Sequence, residues 1–491
     1  MLFNSFHFII FFPLVVALYF AVPHRYRWML LLTASYYFYM CWKAEYIILI
    51  VFSTLIDYFA ARKMGETEEK AIRKRWLMLS LAANLGLLFS FKYFNFFNAS
   101  MKDLFDQFNI FYDVPAFKVL LPVGISFYTF QTLSYTIDVY RGIKKPEKHL
   151  GIFAVYVSFF PQLVAGPIER STRLLPQFFE KKGFDYDRVT DGLRLMLWGF
   201  FKKIVIADRL AVFVNQVYNN PHDTPGVPLI LATYFFAFQI YCDFSGYSDI
   251  AIGSARIMGY DLMQNFRRPY FAQSIAEFWK RWHISLSTWF RDYLYISIGG
   301  NRVVKWRWYS NLLIVFIVSG FWHGANWTFM VWGALHGSYL VVAIWTQNIR
   351  NRISEMIGLT SAPAVRKWFK IFITFHLAIF AWIFFRANSL MDAFYIVTHL
   401  HTNLGYFISH ATSISQVKSM LPVDFHPLEY VISFLSIIFL VIVHYFQEKN
   451  SVGEWLDKRP IWIRWSAYYA VLLGILVFGH FGAMEFIYFQ F

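Results

Sequence analysis

Two histidines stand out because they lie in a stretch of the chain without formal charge. Residues 309–348 contain no Asp, Glu, Lys or Arg, yet they contain His323 and His336. A titratable side chain in so apolar a stretch costs free energy in a membrane, so a functional role is its default interpretation. Gly320 and Gly324 flank His323 and allow a neighbouring helix or a substrate to approach the backbone closely. The alternative is a neutral core histidine bonded to nearby carbonyls, which is the interpretation we favour for His336.

A third histidine, His283, lies in the polar segment Arg281–Ser287. An imidazole takes up and releases protons near neutral pH, so it is suited to acid–base catalysis when a partner fixes its tautomer. On a helix Ser287 would lie one turn beyond His283, and the hydroxyls of Ser285 and Ser287 are candidate partners. The alternative is a solvated histidine on a basic interfacial helix.

Two carboxylates, Asp243 and Asp249, interrupt another apolar region. Because an unpaired charge is costly in such surroundings, we expect at least one of them to pair with a basic side chain. The candidate partners are Arg194, Lys203 and Arg256. A structural ion pair is the preferred interpretation.

The composition shows what kind of chain must position these side chains. Of 491 residues, 58% are hydrophobic, 22% aromatic and only 15% charged. Soluble domains carry about 25% charged residues, so a soluble enzyme, a disordered scaffold and a secreted disulfide domain are excluded. The net charge of +15 fits basic cytoplasmic loops beside anionic membrane lipid, and we expect no nucleic-acid partner.

Apolar runs long enough to cross a bilayer recur along the chain. They predict an all-α polytopic membrane protein with about 11 transmembrane helices plus re-entrant or interfacial helices. Basic residues alternate between the early loops, which places the N-terminus outside the cytoplasm of a multi-pass protein of the inner (plasma) membrane. We expect one membrane-embedded domain over residues 1–491. Its motif-bearing core spans about 12–345, and additional C-terminal helices span about 367–491.

Two stretches, Gly166–Arg194 and Ser274–Arg302, are too polar to cross a bilayer and too apolar for a solvated loop. We predict an interfacial helix in the first and an amphipathic or re-entrant helix in the second, where aromatic residues recur at helical spacing. The runs Pro228–Tyr241 and Tyr247–Met258 are predicted as separate spans. Soluble loops are predicted at about 350–367, 387–427 and 447–460.

Several polar and aromatic motifs follow one another in a specific order between residues 12 and 339. They are Phe160–Arg170, Tyr241–Asp249, Arg281–Ser287, Trp289–Asp292 and Phe321–Gly324. Together they resemble the membrane-bound O-acyltransferase (MBOAT) family. Within that family the sequence is most similar to the bacterial branch that contains the alginate O-acetyltransferase membrane subunit, with the teichoic acid D-alanyl transferase as a close relative of that branch.

The resemblance implies a fold and a reaction. The fold would be a helical arch with funnels opening toward opposite membrane faces. An acyl group, with acetyl as the leading candidate, would move from a cytoplasmic thioester donor, acetyl-CoA or an acyl-carrier protein. The final acceptor would be an exported polysaccharide, reached directly or through a periplasmic acetyltransferase or hydrolase-like partner. No bound cofactor and no metal are expected.

The essential histidine of the family corresponds to His323, and the second polar active-site position corresponds to His283. We predict that His323 takes the hydroxyl proton, and that His283 hydrogen-bonds the acyl carbonyl or positions the donor. Side chains of the same motifs are assigned to substrate binding: Trp322, Asn326, Ser285, Ser287, Arg281, Asp243 and Arg170. Two alternatives stay open, D-alanyl transfer and a transporter with an intramembrane His/Asp proton relay, although the internal repeat typical of transporters is not evident.

Overall fold

The computed structural model of the protein describes residues 1–117, 121–410, 425–482 and 486–487. Every regular element within these ranges is a helix. Residues 411–424, which belong to the predicted C-terminal region and to one predicted loop, lie outside the described residues. The fold class is therefore all-α, as predicted.

Among the described residues, seven helical segments are long and apolar enough to cross a membrane, and the helix Phe6–Ala21 is apolar but shorter. The seven are Ala44–Gly65, Lys70–Gln107, Val227–Met258, Trp327–Trp345, Pro363–Arg386, Pro427–Gln447 and Ile461–Phe478. These segments confirm a multi-pass membrane protein. The runs predicted as separate spans around Asp243 form one continuous helix of 32 residues, Val227–Met258, because no Pro or loop-forming run interrupts the helical backbone between them.

The chain divides into two compact units. The first contains residues 1–196 and 247–264, and the second contains residues 197–246 and 265–491. The helices up to residue 200 are α1 (Phe6–Ala21), α2 (His24–Met40), α3 (Ile47–Gly65), α4 (Lys70–Leu88), α5 (Phe94–Gln107), α6 (Ile125–Tyr140), α7 (Leu150–Ser158), α8 (Phe160–Leu163), α9 (Ser171–Leu174) and α10 (Tyr186–Phe200).

The later helices include the long α12 and a closely spaced series in the second unit. They are α11 (Asp208–Asn219), α12 (Val227–Met258), α13 (Ile275–Arg281), α14 (Ile284–Trp289), α15 (Lys305–His323), α16 (Trp327–Trp345), α17 (Gln347–Met356), α18 (Pro363–Arg386), α19 (Leu390–His399), α20 (Leu404–His410), α21 (Pro427–Gln447), α22 (Val452–Asp457) and α23 (Ile461–Phe478). Short π turns join or extend them at Phe89–Tyr93, Phe201–Ala207 and Phe290–Tyr295.

A buried carboxylate fixes three helices of the first unit to one another. Asp57 of α3 accepts hydrogen bonds from Nδ2 of Asn84 at 3.0 Å and from Oγ1 of Thr136 at 3.2 Å. The hydroxyl of Ser80 also donates to it. Because α4 and α6 supply these donors, the buried carboxylate holds their positions instead of destabilising the core.

The stretch Gly166–Arg194 is not one interfacial helix, so that prediction is wrong. It contains the single turn α9, a 3₁₀ turn at Leu175–Phe179 and the start of α10. Pro176 lacks a backbone N–H, which prevents α9 from continuing as a regular helix. The apolar residues Leu174, Leu175 and Phe178 are buried in the protein rather than presented to lipid.

Glu169, in the same region, is fully buried. One of its carboxylate oxygens accepts a hydrogen bond from the backbone N–H of Met263. Burial raises the pKa of Glu169 to about 7, against the opposing effect of that hydrogen bond. The first unit therefore contains a carboxyl group that titrates near neutral pH.

In the second unit, α15 and α16 form a hairpin with backbones in close contact. A Cβ atom at Gly320 would collide with the carbonyl oxygen of Phe329, and one at Gly333 would collide with that of Phe316. The close approach predicted at Gly320 is thus made by a neighbouring helix, and small residues of this kind are typical of helix interfaces in membranes.

The stretch Ser274–Arg302 is also not a single helix. α13 ends at Arg281, and α14 begins at Ile284. Between them His283 has φ 43°, the left-handed region that side chains other than glycine rarely adopt. The predicted loops similarly contain short helices, because residues such as Ser389 and Ser451 cap α19 and α22 with their side chains.

Candidate active site

His323 is the last residue of α15 and is buried, with 3% of its surface exposed. Three aromatic rings surround its imidazole, with centroids 5.0 Å away for Trp322, 5.1 Å for Trp332 and 5.3 Å for Phe385. Trp332 comes from α16 and Phe385 from α18, so three helices enclose the imidazole. A pocket of this kind shields the imidazole from bulk water.

His283 is fully buried, and its neighbour is an amide that the sequence did not suggest. Nδ1 of His283 lies 3.0 Å from Oδ1 of Asn265. The same oxygen accepts the Oγ hydroxyl of Ser285 at 2.9 Å and its backbone N–H at 3.3 Å. Because a carbonyl oxygen only accepts, Nδ1 of His283 carries the hydrogen, and in the neutral ring Nε2 carries the lone pair.

Burial lowers the pKa of His283 to about 3, so the ring is neutral at physiological pH. The edge of Phe244 packs against it at a centroid distance of 4.6 Å. Trp322 lies beside both histidines, with centroids 6.2 Å from His283 and 5.0 Å from His323. The second unit therefore places two buried imidazoles next to one indole ring.

The backbone at His283 is held in its unusual conformation by the same loop. The N–H of Ile284 donates to the carbonyl oxygen of Asn265 at 2.9 Å. Asn265 thus contacts the turn through both its backbone and its side chain. It follows α12 and precedes the α13–α14 break, so it fixes the position and the tautomer of His283 together.

Asp243 forms part of a buried ion cluster. Nζ of Lys203 lies 2.7 Å from a carboxylate oxygen of Asp243 and 2.7 Å from one of Asp208. This confirms the predicted pairing with Lys203. The other oxygen of Asp243 accepts the backbone N–H of Ile487 at 2.8 Å, which ties this end of the chain to α12.

Two other residues assigned to substrate binding make local contacts. Asn326 is the N-cap of α16, accepting the N–H of Thr328 at 3.0 Å while its amide donates to the carbonyl of Asn388 at 3.1 Å. Ser287 donates to the carbonyl of Trp282 at 3.2 Å. Both side chains stabilise the backbone beside the histidines, and a role in substrate binding stays a prediction.

Arg281 pairs with two carboxylates, Glu277 at 2.7 Å and Glu448 at 2.9 Å. Glu448 also binds Arg268, and the sequence offered no signal for it because it lies far along the chain. Arg170 belongs to the first unit and is half-buried, whereas the other assigned residues belong to the second unit.

His336 of α16 accepts a hydrogen bond from the indole N–H of Trp279, with 3.3 Å between the nitrogens. It is fully buried and packed among aromatic rings such as Trp332. This arrangement agrees with the structural interpretation of His336.

The chain is similar to several membrane acyltransferases. Residues 148–389 match the sequence model described as MBOAT, membrane-bound O-acyltransferase family. The chain is 41% identical over 385 residues to the probable alginate O-acetylase AlgI of Pseudomonas aeruginosa, covering 78% of this chain and 71% of that protein. It is 33% identical over 497 residues to the peptidoglycan O-acetyltransferase of Helicobacter pylori, covering 94% and 91%. A teichoic acid D-alanyltransferase of Streptococcus thermophilus is 31% identical over 282 residues, covering 54% and 68%.

Proposed function

Because this chain belongs to the membrane-bound O-acyltransferase family, we propose that it transfers an acetyl group from a cytoplasmic thioester to a hydroxyl of an exported polysaccharide. The transfer reaches the polysaccharide directly or through a periplasmic acetyltransferase partner. The names of the relatives support acetyl as the group and a polysaccharide as the acceptor. The observation that carries the proposal is the pair of buried imidazoles beside Trp322.

In the proposed reaction His323 acts as the general base. The neutral imidazole accepts the hydroxyl proton while the hydroxyl oxygen attacks the thioester carbonyl carbon. The carbon–sulfur bond then breaks, and the thiolate takes the proton back from the imidazolium. The aromatic enclosure supports this role because it holds the imidazole in place and shields it from bulk water.

Asn265 narrows the role of His283. Donating a hydrogen bond to the acyl carbonyl would require a hydrogen on Nε2, but the contact with Asn265 places it on Nδ1. Of the two predicted roles, the geometry therefore favours positioning. In that role Nε2 accepts a hydrogen bond from an O–H or N–H group of the substrate.

We further propose that the protein lies in the inner membrane with its N-terminus outside the cytoplasm. Basic residues cluster at Arg25 and Arg27, between Arg62 and Arg75, and between Arg141 and Lys148, after alternate apolar runs, and this pattern supports the orientation. The thioester would then reach the site from the cytoplasmic side, and the ester product would form on the outer side of the membrane.

The test is a cell that lacks the chromosomal copy and carries His323→Ala, with His401→Ala as the matched control because His401 is exposed. Cell-surface polysaccharide is treated with mild alkali, and the released acids are measured. We expect acetate from the wild type and the control, and none from His323→Ala at equal membrane abundance. Acetate at the wild-type level from His323→Ala would overturn the catalytic assignment.

The same measurement separates the alternatives. Release of D-alanine instead of acetate would show D-alanyl transfer, which the similarity to a D-alanyltransferase keeps open. If the protein were a proton-relay transporter, removal of the gene would leave the esters unchanged. Reconstituted vesicles would then show proton uptake that depends on His323.

A further inference from the structure

The second unit contains a large cavity whose lining includes neither His323 nor His283. Its volume is about 1140 Å³, and residues from α13 to α18 line it. This volume is slightly above the range typical of ligand pockets, about 300–1,000 Å³. The cavity is large enough for a sizeable organic molecule.

The charged residues that line this cavity all carry the same sign. They are Lys280, Arg291, Arg350, Arg366 and Lys370, and none of the described lining residues is Asp or Glu. Among the described residues Arg291 pairs with Asp292, whereas Lys280, Arg350, Arg366 and Lys370 form no ion pair. A cluster of unneutralised cations attracts an anionic group.

Two buried polar atoms in the lining also have no protein partner. Nε of Arg366 and Oγ of Ser354 are shielded from solvent and make no hydrogen bond within the part of the chain that the structure describes. Groups of this kind are costly unless a ligand or water satisfies them. Both atoms suit an oxyanion, since a guanidinium and a hydroxyl donate hydrogen bonds to phosphate oxygens.

Apolar side chains form much of the remaining lining. α15 contributes Leu312, Val315 and Phe316, and α18 contributes Ile373 and Leu377. We call the part of the cavity at Arg350, Arg366 and Lys370 its basic end. From there the apolar side chains continue toward Ser319, one turn before His323. The cavity therefore combines a cationic end with a hydrocarbon-like interior, as a ligand with an anionic head and an acyl chain requires.

The position of the basic end relative to the membrane follows from the helices around it. α16 ends at Trp345 and α18 begins at Pro363, and both are long enough to cross a membrane. The amphipathic α17 connects them, so these termini lie at the same membrane face. Trp345, Met356 and Trp368 are exposed there, as expected for side chains at the level of lipid headgroups.

We propose that this cavity is a binding site for one anionic phospholipid. The phosphate lies between Arg350, Arg366 and Lys370, and an acyl chain extends along α15 and α18. Basic pockets between membrane helices on the cytoplasmic side bind anionic headgroups in this way. We assign a phospholipid rather than a water-soluble phosphate ligand because the exposed apolar side chains of Trp345, Met356 and Trp368 lie at the same membrane face as the basic end.

The experiment is native mass spectrometry of the purified full-length protein, delipidated in a non-ionic detergent and titrated with dioleoyl phosphatidylglycerol. The test variant is Arg350→Gln/Lys370→Gln. The matched control is Arg352→Gln/Lys367→Gln, which removes one Arg of α17 and one Lys of α18 outside the lining. We expect one bound phosphatidylglycerol for wild type and control, and an affinity lower by about tenfold or more for the test variant.

Phosphatidylcholine, inorganic phosphate and acetyl-CoA are titrated in parallel. Equal binding of phosphatidylcholine, or equal loss in the control variant, would overturn the proposal. Displacement of phosphatidylglycerol by inorganic phosphate or by acetyl-CoA would also overturn it, since the site would then recognise a soluble anion. The proposal does not depend on the acetyl transfer described above, because lipid binding is measured without turnover.

Discussion

Nδ1 of His283 lies 3.0 Å from Oδ1 of Asn265, and this contact determines which nitrogen of His283 carries the hydrogen. The two residues are 18 positions apart and belong to different segments of the second unit. With the hydrogen held on Nδ1, the lone pair of the neutral ring is on Nε2. Asn265 is therefore a positioning residue for His283, acting through its side chain and the turn that follows it.

The first prediction concerns this contact. Asn265→Ala should lower polysaccharide O-acetylation by roughly tenfold to a hundredfold, the range seen when groups that orient a functional histidine are removed. The reason is that no side chain at position 265 would then hold the hydrogen on Nδ1 of His283 or fix the orientation of its ring. Acetate released by alkali, normalised to the amount of protein in the membrane, measures the effect.

The variant Asn265→Asp tests the positioning role through the pH profile of activity, which a purely structural role of Asn265 would not change. It keeps an acceptor oxygen but adds a negative charge, which favours the imidazolium and raises the pKa of His283 from about 3. Activity should therefore be lost at a higher pH on the acid side than in the wild type. An unchanged pH profile together with full activity of Asn265→Ala would contradict the positioning role.

The second prediction tests whether the side chain of His283 acts through a hydrogen bond or only fills space. His283→Asn retains a polar group, so it should keep more activity than His283→Ala. Both variants are compared at equal membrane abundance by the initial rate of acetate transfer. Equal loss in the two variants would show that no hydrogen bond from this position matters.

The third prediction concerns the buried Glu169, whose pKa is raised to about 7 by burial. Its usual value is 4.5, so the folded state holds the proton more tightly than the unfolded state. Stability from this group is complete below about pH 4.5 and declines as the pH rises through about 7. Glu169→Gln keeps the acceptor for Met263 without a titratable proton, and should be more stable than the wild type at pH 9 by about 2–3 kcal/mol.

Thermal unfolding in detergent from pH 5 to pH 9 checks this expectation. The melting temperature of the wild type should fall relative to Glu169→Gln as the pH increases. A constant difference between the two proteins over the whole range would mean that Glu169 does not titrate there.

The fourth prediction concerns the close contact of α15 and α16. Gly320→Ala should destabilise the protein by about 1–3 kcal/mol, the usual cost of overpacking, because the added methyl group collides with the carbonyl of Phe329. Gly86→Ala is the control, since a methyl group there meets no atom within 4 Å. We expect a lower melting temperature and lower activity only for the first variant, and equal effects would argue against the contact.

The fifth prediction uses the imbalance of the buried ion cluster, which has one lysine and two carboxylates. Lys203→Met leaves both carboxylates buried and should cost about 3–5 kcal/mol. Asp208→Asn leaves the pair of Lys203 and Asp243 intact and should be close to neutral. Melting temperatures of the two variants test this order, and a larger loss for Asp208→Asn would contradict it.

Sequence reasoning located the site better than it described the surroundings. His323 was recognisable because it lies in an uncharged stretch, and the pairing of Asp243 followed from the cost of an unpaired charge. Asn265 was not recognisable, because no local spacing connects it with His283 and an asparagine in a polar loop has many possible roles. Its importance depends on a tertiary contact.

The two wrong helix predictions have a common physical cause. Helical periodicity reports which residues could share a face, but it does not report where the backbone must turn. In Ser274–Arg302 the turn at His283 is stabilised by the backbone of Asn265. In Gly166–Arg194 the stripe of apolar residues is buried inside the first unit, where no amphipathic face toward lipid is needed.

The glycine contacts of α15 and α16 also bear on the order in which the protein assembles. Only Gly324–Asn326 separates the two helices, so closing this hairpin costs little chain entropy. We expect it to form soon after both helices enter the membrane, carrying His323 at its tip. The contact between Asp243 and Ile487, which are 244 positions apart, can form only after residue 487 has been synthesised. The chain would therefore build the surroundings of its proposed base before it secures the segment around Ile487.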